Sequence, residues 1–248
     1  DITDRDLERG LILAARKDAE HRTKIQVGDV ELGGDRFVVI AGPCVLEQPQ
    51  INELIGTTIR DMCAELKLNF VYKASFDKAN RSSIRSPRGP GLEAGLAELA
   101  RLREKLGVPV TTDVHEPGQV GAVAEVVDLL QVPAFLCRQT DLLSAVGRTL
   151  KPVNIKKGQW MSAEEMGRAV AKVRSNREEG GRGTADIAVT ERGTFFGYGD
   201  LVVDMRNFRR LKAATGAAVL FDMTHSVQRP GMGVGGATGG GREHVPAL

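Results

Sequence analysis

Phe70-Val71-Tyr72-Lys73-Ala74-Ser75-Phe76-Asp77-Lys78-Ala79-Asn80-Arg81-Ser82-Ser83 begins as an apolar strand and runs without a break into a segment dense in cations and hydroxyls. Arg85 and Arg88 extend it, so residues 73 to 88 carry five cations against the single acid Asp77, and Gly89-Pro90-Gly91 then breaks the chain before a helical pattern. A merely solvated charge run mixes signs. This one is almost purely basic, is interleaved with serine and sits where a strand ends, which is chemistry for holding phosphate.

Outward from that stretch, short β-rich runs alternate with helical patterns in a regular beat. Strands are predicted over Phe37–Cys44, Asn69–Ser75, Val110–His115, Leu129–Pro133, Val153–Lys157, Ile187–Arg192 and Ala218–Thr224. The helices between them show apolar stripes. The first carries Ile55, Ile59, Met62 and Leu66, the next Leu92, Leu96, Leu99 and Leu106, and another opens with the capping box Ser162-Ala163-Glu164-Glu165. Strands apolar on both faces, each followed by an amphipathic helix, indicate an α/β fold with a parallel sheet covered by helices. Seven of them in this length point to a (β/α)8 TIM-type barrel lacking its last β/α unit, with a flat doubly wound sheet as the alternative. The closing unit would follow Leu248, so the expectation is either a fragment or a gap covered by another chain. Ile25, Val27, Val30 and Leu32 alternate around Gly28-Asp29 as an N-terminal β-hairpin would, read as a plug under the barrel. The domain is thus a single incomplete barrel over residues 23–248. Residues 1–22 form an N-terminal extension with no assigned function, disorder being one reading of it.

At 248 residues, 42% hydrophobic and 27% charged, the chain can bury one large core. Its net charge of +2 argues against a nucleic-acid or membrane surface and leaves a small anion as the expected partner. Cys44, Cys63 and Cys137 match neither a zinc-ribbon nor a disulfide spacing, and no signal peptide or membrane-length apolar run is visible; a soluble protein of the reducing cytoplasm fits best.

Polar residues fall at the C-terminal ends of the strands, which converge in a barrel. In chain order these are Gly42-Pro43-Cys44, then Lys73 and Lys78, Asp113 and His115, Arg138, Gln139 and Asp141, Lys156 and Lys157, Arg192, and finally Asp222 and His225. Six or more cations in one mouth repel one another unless anions fill it. The count exceeds what one phosphate needs and argues for two phosphorylated substrates, or a phosphate and a carboxylate.

The segments KASFDKANRSS, RGPGLE, TDVHE, LLQVPAF followed by RQTDL, NIKKGQ, ERGTFFGY, LVVDM and FDMTHSVQ together resemble the 3-deoxy-D-manno-octulosonate 8-phosphate synthases from about residue 25 to 248. KASFDKANRSS is specific to them; related 3-deoxy-heptulosonate-phosphate synthases carry a different basic-proline motif there. The resemblance implies a transferase of lipopolysaccharide biosynthesis that condenses phosphoenolpyruvate with arabinose 5-phosphate, in a homotetramer. By the same resemblance, Lys78, Lys156 and Arg192 hold the phosphate and carboxylate of phosphoenolpyruvate, helped by Ser75, Gln131 and Gln159, while Lys73 lies near the reacting carbons. Asn80, Arg81 and Ser82 resemble the arm for arabinose 5-phosphate, whose phosphate Arg138 also reaches from a neighbouring subunit.

A thiol at a strand end is, from sequence alone, more often packing than chemistry. The resemblance reverses this for Cys44, since the metal-dependent class has cysteine here and the metal-independent class asparagine. It implies a divalent metal ion (zinc, iron or manganese) on Cys44 and His225, with two further ligands, a glutamate and an aspartate, beyond Leu248. Lys73, Asp113, His115 and Lys156 are the catalytic candidates; His115, which follows Asp113 at the mouth, is open between proton relay and core packing. His21 and His244 read as surface residues. Gly231-Met232-Gly233-Val234-Gly235-Gly236 fits a dinucleotide pattern but opens no helix from a strand, and the glycine-rich run 231–241 is read as a mobile loop over the mouth. Rival readings are a heptulosonate-type synthase, a Schiff-base aldolase using Lys156 or Lys157, and an inactive fragment.

Overall fold

All seven expected strands form one parallel sheet. The computed structural model describes residues 23–81, 84–149, 151–179, 186–229, 232 and 239–248. A short antiparallel pair, β1 (Ile25–Val27) and β2 (Val30–Leu32), comes first. The parallel sheet follows: β3 (Val38–Val45), β4 (Asn69–Ser75), β5 (Val110–Asp113), β6 (Leu129–Val132), β7 (Val153–Lys156), β8 (Ile187–Glu191) and β11 (Ala218–Phe221). Each strand pairs with its predecessor in chain order, and β3 and β11 are the two edges. That is the winding of a barrel; a doubly wound sheet would reverse its order part-way. The helices between are α1 (Pro49–Glu65), α2 (Leu92–Leu106), α3 (Val120–Val126), α4 (Thr140–Gly147), α5 (Ala163–Glu179) and α6 (Asn207–Thr215), and the short α7 (Met223–Ser226) follows β11. A small hairpin, β9 (Thr194–Phe196) with β10 (Asp200–Val202), had no sequence prediction.

Local chemistry explains the boundaries. Ser162 and Glu165 exchange backbone-to-side-chain hydrogen bonds at 3.1 and 3.2 Å, the capping box expected at the start of α5. α2 has Glu93 in its first turn, Arg103 and Lys105 in its last, and ends on Gly107 in the left-handed conformation. Its buried stripe is Leu96, Leu99, Leu102 and Leu106. For α1 the expected face is rotated: Met62 and Leu66 are exposed, while Asn52, Gly56 and Cys63 are buried. The reason is Gly56, where an added Cβ would lie 2.5 Å from Leu106 Cδ1 and 3.1 Å from the Tyr72 ring, so the helix seats on its smallest residue.

Two apolar layers result. One lies between sheet and helices and includes Tyr72, Leu99, Leu130, Leu143, Ile155 and Val189. The other lies inside the curled sheet, where Val71, Leu129, Ala188 and Ala218 meet Ile25, Val27, Val30 and Leu32 of the β1–β2 hairpin. The hairpin is the expected plug at the N-terminal end of the barrel strands. Residues 1–22, Ser82 and most of the glycine-rich run 231–241 lie outside the described residues, as does His21.

Candidate active site

Strand side chains alternate faces, so the plug layer identifies every other residue that looks inward. Two residues further along each strand, that inward row turns polar: Val71 gives way to Lys73 and Ser75, Leu129 to Gln131, Ala188 to Thr190 and Arg192, and Leu220 to Asp222. β5 adds Asp113 and β7 adds Asn154 and Lys156. The apolar end is sealed and the C-terminal mouth is charged.

One half of the mouth is built on Asp113. Lys73 Nζ lies 3.5 Å from its Oδ2 and donates to Ser75 Oγ at 3.0 Å and to the Cys44 carbonyl at 3.3 Å. Lys78 Nζ donates to the same Ser75 oxygen at 2.9 Å, and the Ser75 hydroxyl donates a hydrogen bond to Asp113 Oδ2. Gln131 Nε2 donates to Asp113 Oδ1 at 2.6 Å. Burial pushes the Asp113 carboxyl up, but Lys73, Lys78 and the bonds from Gln131 and Ser75 outweigh it and hold it well below the usual carboxylate range. Burial lowers Lys73, yet Asp113, Cys44 and Asp222 more than restore it; Lys78 is left lowered by burial and by the like charge of Lys73.

The other half is built on Asp222. Its carboxylate caps α7 by accepting from the His225 amide at 2.9 Å, pairs with His225 Nδ1 at 2.6 Å and receives Lys156 Nζ. Burial raises this carboxyl too, but Lys156 and His225 hold it well below its ordinary value. Arg192 crosses above, donating to the His225 carbonyl at 2.7 Å and to Gln228 Oε1 at 2.9 Å, and its buried Nε has no partner.

The halves meet at Cys44. The β3 register shifts between Ala41 and Cys44, and Cys44 takes φ 71°, a left-handed conformation seldom adopted by non-glycine residues. Gly42 permits this, since a Cβ there would stand 2.1 Å from the Lys73 carbonyl oxygen. Taken as a whole residue, Cys44 is exposed. A hydrogen bond with His225, opposed by burial and assisted by Lys73 and Lys78, lowers it to about 6. Cys44 belongs to one sheet edge and His225 follows the other, so the influence of His225 on the thiol spans the open side of the curled sheet.

Among the described residues no group of three or more His, Cys, Asp or Glu side chains is placed to hold a metal ion. The donor pair itself suits one: a thiol ionised near neutrality beside an imidazole whose Nδ1 is fixed by a carboxylate, the usual outer support of a metal-bound histidine.

Several expected residues stand elsewhere or are already engaged. Ser75 is fully buried and its hydroxyl bonds with Lys73, Lys78 and Asp113; the Gln131 amide is divided between Asp113 and Asn154. Arg88, counted above among the phosphate-holding cations, is paired with Asp77. Asn80 and Arg81 are exposed, Arg81 donating to the Pro87 carbonyl at 3.1 Å. Arg138 is exposed and makes none of the bonds within the mouth. Gln159 is 1% exposed, with no partner for its Oε1. His115 packs edge-on against Phe76 at 5.7 Å, its buried Nδ1 unpartnered, and burial lowers its pKa. Lys157 has the opposite strand parity from Lys156. It is buried behind the wall, 3.4 Å from Glu191 Oε1, with bonds to the Gly193 carbonyl and Thr194 hydroxyl. His244 is exposed, as expected.

Asp222 and Glu191 are the acids that sequence reading passed over in assigning roles. Five cations in and behind the mouth (Lys73, Lys78, Lys156, Lys157, Arg192) stand against three carboxylates (Asp113, Asp222, Glu191), so the positive balance is smaller than strand-end counting implied. The parity rule, together with the cap pattern Asp222-Met223-Thr224-His225, was the available signal for Asp222.

The DAHP synthetase I family model matches residues 16–248. The 2-dehydro-3-deoxyphosphooctonate aldolase of Fusobacterium nucleatum is 50% identical over 91% of this chain and 78% of its own. That of Desulfatibacillum aliphaticivorans is 52% identical over 87% and 76%, and that of Nitrobacter winogradskyi 51% over 90% and 76%.

Proposed function

The chain belongs to the DAHP synthetase I family and to its 2-dehydro-3-deoxyphosphooctonate aldolases, and on that footing we propose how its mouth performs their condensation. The substrates are phosphoenolpyruvate and arabinose 5-phosphate, and the product, 3-deoxy-D-manno-octulosonate 8-phosphate, serves lipopolysaccharide biosynthesis. The observation carrying the assignment of roles is that Lys73 and Lys78 at the end of β4, Lys156 at the end of β7 and Arg192 just after β8 interlock around Asp113, Asp222 and Cys44 at one mouth. C3 of the enol phosphate bonds to the aldehyde carbon, whose oxygen takes a proton. Water adds at C2, and the phosphate then leaves with its C–O bond broken. Lys78, Lys156 and Arg192 bind the phosphate and carboxylate, where charge held in a dry site acts most strongly on the departing group. Lys73, fixed by Asp113, lies beside the reacting carbons. Lys156 exchanges one anionic partner, the Asp222 carboxylate, for the phosphate or carboxylate of the substrate.

Asn80, Arg81 and Ser82 receive the sugar phosphate. Arg138 reaches it from a neighbouring subunit of a homotetramer, a reading supported by the exposed aromatic surface beside it, where Phe135 and Trp160 stack at 6.2 Å. Cys44 and His225 supply two ligands of a divalent metal ion (zinc, iron or manganese), which when bound orients the aldehyde or the water. The three free thiols support a cytoplasmic location, and among the described residues no helix is long and apolar enough to cross a membrane. Release of inorganic phosphate that requires both substrates together tests the reading. Release from phosphoenolpyruvate alone, or borohydride trapping of a lysine adduct, overturns it.

A further inference from the structure

Inside the curled sheet, hydrogen bonds run side chain to side chain across five neighbouring strands, from β8 to β4. Thr190 Oγ1 donates to Asn154 Oδ1 at 2.7 Å, and Asn154 Nδ2 to Gln131 Oε1 at 2.9 Å. Gln131 Nε2 donates to Asp113 Oδ1 at 2.6 Å, while Ser75 closes on Asp113 Oδ2 from the far side. The belt is deeply buried, from Ser75 at 0% to Asp113 at 8% exposed. It lies one layer above Val71, Leu129, Ala188 and Ala218, where mainly apolar side chains fill the same barrel and the Thr111 hydroxyl is satisfied by the Leu129 carbonyl at 2.8 Å. Burying two amides, two hydroxyls and a carboxylate is favourable only if every partner is kept, so apolar residues would have packed more simply.

What the belt accomplishes is directional. Gln131 presents its NH2 to the Asp113 carboxylate only while its carbonyl has a donor, and Asn154 is that donor. Asn154 in turn can face Gln131 with its NH2 because Thr190 supplies a proton to its oxygen. Turned the other way, Gln131 would set a carbonyl oxygen against a carboxylate. We propose that Asn154 and Thr190 are positioning residues: they fix the amide orientation of Gln131 and, through it, the placement of Asp113 and of the Lys73 and Lys78 ammoniums at the mouth. The titratable groups facing Asp113 are Lys73 and Lys78 from the β4 side and His115 from the end of its own strand. Nearest to residue 154 on β7 is Lys156, held by Asp222.

The kinetic half of the test rests on the condensation reading; the spectroscopic half does not. Asn154→Asp is the informative change. A buried carboxyl favours its neutral form, whose O–H replaces the amide donor to Gln131. Once ionised it offers only acceptors and draws the Gln131 NH2 away from Asp113. In protein labelled with 13C at aspartate carboxyls, with the Asp113 signal assigned through Asp113→Asn, the wild-type signal stays flat between about pH 5 and 9 because Asp113 ionises far below that range. In N154D it moves with the ionisation of residue 154. Phosphate release by N154D falls about 10–100-fold above that ionisation and recovers below it, whereas N154A is impaired without acid recovery. A merely structural role would give no pH-reversible loss. An Asp113 signal in N154D that stays at the wild-type position throughout, or pH profiles of N154D and wild type that run parallel, overturns the proposal. If N154D does not fold, Thr190→Val, the same shape without the proton, reads the same signal: a displaced Asp113 resonance supports the belt and an unmoved one refutes it. A wild-type chain that releases no phosphate removes the condensation reading and leaves the Asp113 signal to decide the coupling.

Discussion

Replacing Asp222 by Asn takes one negative charge from the mouth while keeping the helix cap, because an amide oxygen can accept from the His225 N–H as the carboxylate does at 2.9 Å. Lys156 and the His225 imidazole lose their counter-charge. The Lys156 and Asp222 side chains are 12% and 14% exposed, so the ammonium left behind stays largely out of water. Removing one partner of a buried pair costs about 3–5 kcal/mol, and the residual exposure places this pair at the lower end, about 3 kcal/mol. In a chain of this size that lowers Tm by about 6–12 °C. The sign of the pH dependence follows from the depressed carboxyl. Its contribution is complete above the unfolded value of 3.8 and is lost as pH falls through the lower folded value. Urea unfolding of wild type and D222N therefore shows the full gap at about pH 7 and pH 5, and a narrowing gap at about pH 3. A gap under about 1 kcal/mol at neutral pH, or one undiminished at pH 3, would refute the reasoning.

Alkylation of Cys44 by iodoacetamide should accelerate as pH rises through about 6, followed residue by residue by mass spectrometry. His225→Ala should move that midpoint up toward an ordinary thiol, while Cys63 and Cys137, buried and raised by burial, stay unmodified. Gly42→Ala should lower stability by about 1–3 kcal/mol in denaturant melts, because its Cβ falls 2.1 Å from the Lys73 carbonyl oxygen and the backbone must shift. Arg192→Ala should reduce kcat/KM in the phosphate-release assay by more than about 10²-fold; an unchanged value removes Arg192 from the machinery.

Strand positions were legible because the central barrel strands, β4 to β8, are largely buried on both faces, which leaves short continuous apolar runs such as Phe70-Val71-Tyr72. Asn69–Ser75 was bounded correctly at both ends. Others ran one to three residues long at the C-terminal side, as at Val110–His115, since pairing ends where the loops begin to carry the site. The α1 face was not legible. Periodicity pointed to its large apolar residues, but close packing against Tyr72 and Leu106 selects the glycine side. Likewise Lys156 and Lys157 look equivalent as neighbours in a chain. A period of two sends one inward to Asp222 and the other behind the wall to Glu191.

Read alone, the chain determined the order of its strands and helices, the plug, the basic strand-end segments and the kinship they carry, because these depend on local periodicity and on which residue types lie close along the backbone. Which cations are held by acids, which amides are already spent on one another, and the contact between Cys44 and His225 across the curled sheet were decided only in three dimensions. These pairings join residues up to 181 positions apart in number, as from 44 to 225, and strand parity and the curl of the sheet rather than sequence proximity bring them together.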